Sequence, residues 1–106
     1  MVRLTGSGMG GRNQELALAA AQGIYGLENV LILSLDLAGT DGPTDAAGGM
    51  VDGKTAGKLA SEGVSIHHVL EKNDSYHALE KVGGLIVTGP AGTNVNDLFV
   101  VLIRQQ

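Results

Sequence analysis

Val30-Leu31-Ile32-Leu33-Ser34-Leu35 is an apolar run broken by a single serine, with no alternation of apolar and polar positions. A strand with one wet face alternates, whereas a strand that is apolar on both faces belongs in a sheet held between helical layers. The neighbouring segments agree with that reading. Upstream, the spacing predicts a helix from Arg12 to Leu27: Leu16, Ala20, Ile24 and Leu27 recur at helical intervals, and Leu18, Ala21 and Tyr25 widen the apolar surface nearly all round. Only Asn13, Gln14, Glu15 and Gln22 give this helix a polar side, so most of it should be buried, and Gly26 marks its stop. Before it, Val2-Arg3-Leu4-Thr5 alternates and reads as a short edge strand.

Downstream of the apolar run comes a glycine-rich loop from Gly39 to Gly49. A weaker helix follows, from about Asp52 to Glu62, whose Gly53 and Gly57 each cost about 1 kcal/mol relative to alanine. Asn73-Asp74-Ser75 opens a further helix, Asp74 to Val82, which ends at Gly83-Gly84. Leu85-Ile86-Val87-Thr88 and Leu98 to Ile103 read as two more strands. The loop Gly89 to Asp97 between them is too short for a parallel crossover, so the two are expected to pair antiparallel with each other. Strand, helix, strand, helix, helix, strand, strand makes one α/β domain over residues 1–106, three layers with a mixed sheet flanked by helices.

Composition narrows the function classes. The chain has 106 residues, 43% of them hydrophobic, and a net charge of −4, which suits one folded domain and not a disordered chain. It has no cysteine, which excludes a disulfide framework or a cysteine zinc site and is compatible with a reducing cytoplasm. Seven basic residues against eleven acidic ones make no basic face for duplex nucleic acid. No apolar run reaches a membrane span, and Met1-Val2-Arg3 leads into Thr5 and glycines, not into a leader peptide. Glycine is the outlier at 17 residues, about twice ordinary usage, and 14 of them fall within 6–11, 39–57 and 83–92.

Those clusters mark three loops. Gly6-Ser7-Gly8-Met9-Gly10-Gly11 runs straight into Arg12 at the start of the first helix, where free amides and the helix dipole favour an anion and a guanidinium adds a matching cation. Gly6, Gly8 and Gly11, with Asp36 closing the next strand, also satisfy the spacing of a dinucleotide fingerprint. The second loop, Asp36 to Gly48, holds Asp41 and Asp45 on a backbone stiffened by Pro43. Those carboxylates have two readings: they position a magnesium ion, accept from a sugar-acid hydroxyl or act as a base, or else Asp41 opens a turn and Asp45 caps a helix. The third, Gly89 to Asp97, offers Thr93, Asn94, Asn96 and Asp97, which either read a ligand's hydroxyls or satisfy the loop's own amides. His67, His68 and His77 lack partners at metal-ligand spacing and read as surface or partly packed, and Lys54 and Lys58 as a solvated helix face.

Four ordered motifs carry a resemblance over essentially the whole chain. Gly10-Gly11-Arg12-Asn13-Gln14-Glu15-Leu16-Ala17-Leu18, Asp41-Gly42-Pro43-Thr44-Asp45-Ala46-Ala47-Gly48, Asn73-Asp74-Ser75-Tyr76 and Thr88-Gly89-Pro90-Ala91-Gly92-Thr93-Asn94-Val95-Asn96-Asp97-Leu98 resemble the MOFRL domain. This is the C-terminal domain of the glycerate 2-kinase family, whose bacterial members are often labelled hydroxypyruvate reductases. The resemblance implies a two-domain enzyme that transfers phosphate from ATP to D-glycerate, giving 2-phosphoglycerate, with magnesium. It also implies a larger Rossmann-like N-terminal domain, absent from these residues, that supplies the other wall of the cleft. By motif, Arg12 resembles the catalytic cleft arginine that neutralises charge on the phosphoryl group or the glycerate carboxylate. Gly10, Gly11, Asn13, Asp41, Asp45, Thr93, Asn94 and Asp97 would line the same cleft. One departure stands out: Ala38 occupies a place where the family pattern carries an additional aspartate, with Asp36 two residues earlier. A kinase portion inactive alone is therefore the leading expectation, beside a free-standing binding module that works with a partner chain or as a homo-oligomer, and an NAD-type dinucleotide domain.

Overall fold

The computed structural model describes residues 8–89 and 96–105, so the expected strand at Val2–Thr5 lies outside the described residues. The elements run α1 (Arg12–Gly23), β1 (Val30–Asp36), β2 (Gly48–Asp52), α2 (Thr55–Ser61), α3 (Ile66–Lys72), α4 (Ser75–Lys81), β3 (Leu85–Ile86) and β4 (Asp97–Ile103). The α/β class holds. The first helix stops at Gly23, earlier than its apolar spacing suggests, and Gly26 turns the chain with φ +87°.

The sheet has the order β3-β2-β1-β4, and every pairing among the described residues is antiparallel, where the sequence suggests a mixed sheet. The two late strands do not pair with each other as expected but stand at opposite edges, separated by β1 and β2. Three strand spacings amount to about 14 Å, which the intervening residues cross readily. The reason for the error is β2, which the sequence hides inside a glycine loop. At Gly48 a Cβ would collide with the Ser34 carbonyl oxygen, and at Gly49 with Leu79 and Ala17. Glycine is there because β1, α1 and α4 approach the β2 backbone closely.

One core joins all four helices to one face of the sheet. Ala17, Leu18 and Ala21 of α1 and Ile24 just past its end pack with Ile32 and Val51, with Leu59 of α2, Ile66 of α3, and Ala78 and Leu79 of α4. Ile32 and Val51 are cross-strand partners, so their side chains share that face. The opposite face, carrying Leu31, Leu33, Leu35 and Met50, contributes nothing to this core. The expected three layers are thus two within these residues, a sheet and a helical layer. The short helix α3 is a further element that the sequence reading leaves out. The Ser65 side chain caps it by accepting from the His68 amide, and Asn73 ends it in the left-handed conformation at φ 55°.

Candidate functional site

The N-terminus of α1 has no cap of its own, because the residue before it is Gly11. Asp41, from the loop between β1 and β2, supplies one. Its Oδ1 accepts from the Asn13 amide at 2.9 Å and its Oδ2 from the Gln14 amide at 2.8 Å. The Asn13 and Gln14 side-chain amides donate to the same carboxylate at 3.2 and 2.9 Å. A buried carboxylate thus sits at the positive end of the helix dipole, the place where the sequence asks for an anion. With four donors on two oxygens and 2% of its surface exposed, Asp41 is closed to substrate and to metal. Thr44 fixes the turn by donating to the Asp41 carbonyl at 2.8 Å. Gly10 and Gly11 make this possible: a side chain at Gly11 would strike Asp41, and one at Gly10 would strike Ser75.

Asn13 extends the network. Its Oδ1 accepts from Ser34 Oγ on β1, and its Nδ2 donates to Asp41 and, at 3.0 Å, to Oδ1 of Asp97 at the start of β4. The other oxygen of Asp97 accepts from the Arg12 guanidinium, whose side chain is 52% exposed. Asp97 also faces Asp36 across the β1–β4 ladder, and Arg12 offsets the charge of that pair. Asp36 itself accepts from the Ala38 amide at 2.8 Å, which ties it into its own turn and keeps it from replacing the aspartate missing at Ala38.

Asp45 leaves the buried hub and stays exposed, where the Tyr76 hydroxyl donates to it at 2.8 Å. That bond keeps the Tyr76 phenol protonated to higher pH than usual, with minor help from burial and from Glu80. Asp45 therefore caps no helix. Tyr76 closes one of the four motifs but receives no site role from the sequence, where Asn73-Asp74-Ser75 reads as a helix start; its place one residue inside that helix, beside a carboxylate loop, is visible only in three dimensions. Asp74 makes no cap bond of its own but accepts from the Met9 amide at 3.0 Å and pairs with His77 Nδ1 at 2.7 Å. Burial alone would raise its carboxyl, but the Met9 and His77 bonds outweigh burial and hold it below the usual carboxylate range.

Of the residues expected in the cleft, Gly10, Gly11, Arg12, Asn13, Asp41 and Asp97 come together in one assembly, with Asp45 on the rim of the same loop. Thr93 and Asn94 lie outside the described residues. A dinucleotide reading does not fit, because Asp41 fills the helix N-terminus that would take a pyrophosphate and the described strands are all antiparallel. Nor do these carboxylates fit a magnesium cage. Asp41 is saturated, Asp36 is tied to the Ala38 amide in its own turn, Asp97 is held by Arg12 and Asn13, and no three metal-ligating side chains cluster among the described residues. His67 and His77 are exposed on short helices, as expected. No helix among the described residues is long and apolar enough to cross a membrane.

Known proteins share this architecture. The chain is 56% identical to D-glycerate 2-kinase of Thermotoga maritima over 103 residues, 97% of its length. It is 54% identical to glycerate 2-kinase of Pyrococcus horikoshii over 99 residues and 43% identical to human glycerate kinase over 110. The crystal structure of the Thermotoga glycerate kinase superposes with a TM-score of 0.95 over 98% of the chain. The chain spans about a quarter of the length of these relatives: 25% of the first, 22% of the second and 21% of the third. A profile described as the MOFRL family matches residues 1–97, and the chain belongs to that family.

Proposed function

We propose that this chain is the portion of an ATP-dependent D-glycerate 2-kinase that forms one wall of its cleft, and that it does not turn over alone. The observation that carries the reading is the Arg12 side chain, held on one side by Asp97 and exposed on the other. Phosphoryl transfer depends mainly on positioning and on neutralising charge. A guanidinium aimed by a carboxylate, at the end of a helix whose dipole is already satisfied, suits a phosphoryl oxygen or the glycerate carboxylate. Asn13 holds Asp97 and Asp41 in place from inside, and Asp45, oriented by Tyr76, remains the exposed carboxylate available to a hydroxyl. ATP supplies the transferred group. The chain's own carboxylates do not form a site for a metal, so no step is assigned to magnesium.

The test is a chimera in which this chain replaces the matching segment of the Thermotoga kinase. Arg12→Ala should lower its glycerate-dependent ATP consumption by about 10²-fold or more. In the isolated chain the same variant should cost no more than about 1 kcal/mol, as for other half-exposed ion pairs. The isolated chain should consume no ATP with glycerate; turnover near 1 s⁻¹, at the low end for enzymes, would refute the one-wall reading.

A further inference from the structure

The sequence reads the β1 run as strand covered on both faces, yet the described residues cover only one face of the sheet. The exposure is greatest at β4. Leu98 and Leu102 lie bare on the open face, and Phe99, Val101 and Ile103 are 53%, 47% and 67% exposed on the helix face, because α1 packs mainly over β1 and β2 and bonds to β4 at its first residue, Asp97. Among the described residues no strand pairs with the outer edge of β4 either. The Leu37 amide bonds to the Asn96 carbonyl and the Arg104 amide to the Asn29 carbonyl, which sets the parity of the ladder. Leu98, Val100 and Leu102 therefore turn their amides toward β1, and Phe99, Val101 and Ile103 turn theirs outward. Natural edge strands are protected by charge, proline or bulges, and β4 has no charge or proline from Leu98 to Ile103.

We infer that β4 is an interior strand of a larger sheet. The rest of a chain about four times this length adds a strand to its outer edge and lays an apolar layer over both of its faces. A second copy of this chain does not suffice: pairing β4 with β4 would satisfy the outward amides but leave both apolar faces in water. The seam starts at the site, because Asp97 both opens β4 and holds Arg12, so whatever covers β4 arrives beside the guanidinium. This inference rests on the reading of the chain as part of a kinase, and the two can fail separately.

Hydrogen exchange at Phe99, Val101 and Ile103 tests it, in the isolated chain and in the Thermotoga chimera. The seam predicts fast exchange in the isolated chain and slowing of about 100-fold or more in the chimera. Phe99→Asp with Val101→Asp should leave the isolated chain's circular dichroism unchanged and return the chimera's β4 amides to fast exchange. Equal exchange in both proteins overturns the seam, as does protection in the isolated chain through a dimer that Val101→Asp dissolves. As a second readout, the Thermotoga kinase lacking its own segment, mixed with this chain, should form a one-to-one complex by light scattering. Val101→Asp should weaken that complex about tenfold or more, and absence of any complex counts against the seam. A chimera with protected β4 but no glycerate-dependent ATP consumption keeps the seam and removes the kinase reading. An active chimera with unprotected β4 does the reverse.

Discussion

Asp41 shows how a residue can be found for one reason and matter for another. As an acid in a glycine loop next to a strand end it invites a ligand role, but its carboxylate is consumed by the first turn of α1. Asp41→Ala would leave the Asn13 and Gln14 amides buried without an acceptor and should destabilise the chain by about 2–4 kcal/mol, read by urea unfolding. Asp74 gives a pH signature. Its folded carboxyl titrates below the usual range, so its contribution is complete above the ordinary carboxylate pKa and is lost as pH falls through the lower, folded value. Unfolding curves between pH 5 and 2 (roughly the interval in which carboxylates titrate) should therefore show acid destabilisation that Asp74→Asn reduces. A variant with unchanged pH dependence would remove Asp74 from that account.

At the scale of elements, the two glycines of β2 separate backbone from side-chain crowding. Gly48→Ala would drive a methyl into the Ser34 carbonyl, a backbone atom that cannot yield without breaking the β1–β2 ladder. Gly49→Ala meets the far end of Leu79, which can rotate, and the Ala17 methyl. Both should destabilise, with Gly48→Ala costing more than the roughly 1–3 kcal/mol usual for overpacking and Gly49→Ala falling within it, as thermal melts would show. These glycines also mark the limit of sequence reading. Apolar spacing located α1, unbroken apolar runs located β1 and β4, and the Asn73-Asp74-Ser75 start with the Gly83-Gly84 stop located α4. β2 stayed hidden because its packing surface is its own backbone, and α3 because a two-turn helix starting at Ile66 has too few positions to show a period. In the site, residue types pointed to Arg12, Asp41 and Asp97 and the family resemblance added Asn13, whereas the closure of Asp41 to solvent and the Tyr76–Asp45 bond depend on contacts between distant segments.

At the scale of the whole molecule, the apolar β1 run has one uncovered face among the described residues, in a chain that spans a quarter of the length of the Thermotoga relative. The hub at the start of α1 has a consequence for the route to the folded state. Asn13 bonds to Asp41 across 28 residues and to Asp97 across 84, so these bonds close only after the sheet has brought its opposite ends to one place. Contacts that close such long loops late are absent from the transition state, and losing them speeds unfolding without slowing folding. Stopped-flow measurements on Asn13→Ala should accordingly show a faster unfolding limb with a folding rate changed by less than about twofold. A helix that takes its first-turn cap from a loop 28 residues away is therefore a kinetic lock, set last on the way in and released first on the way out.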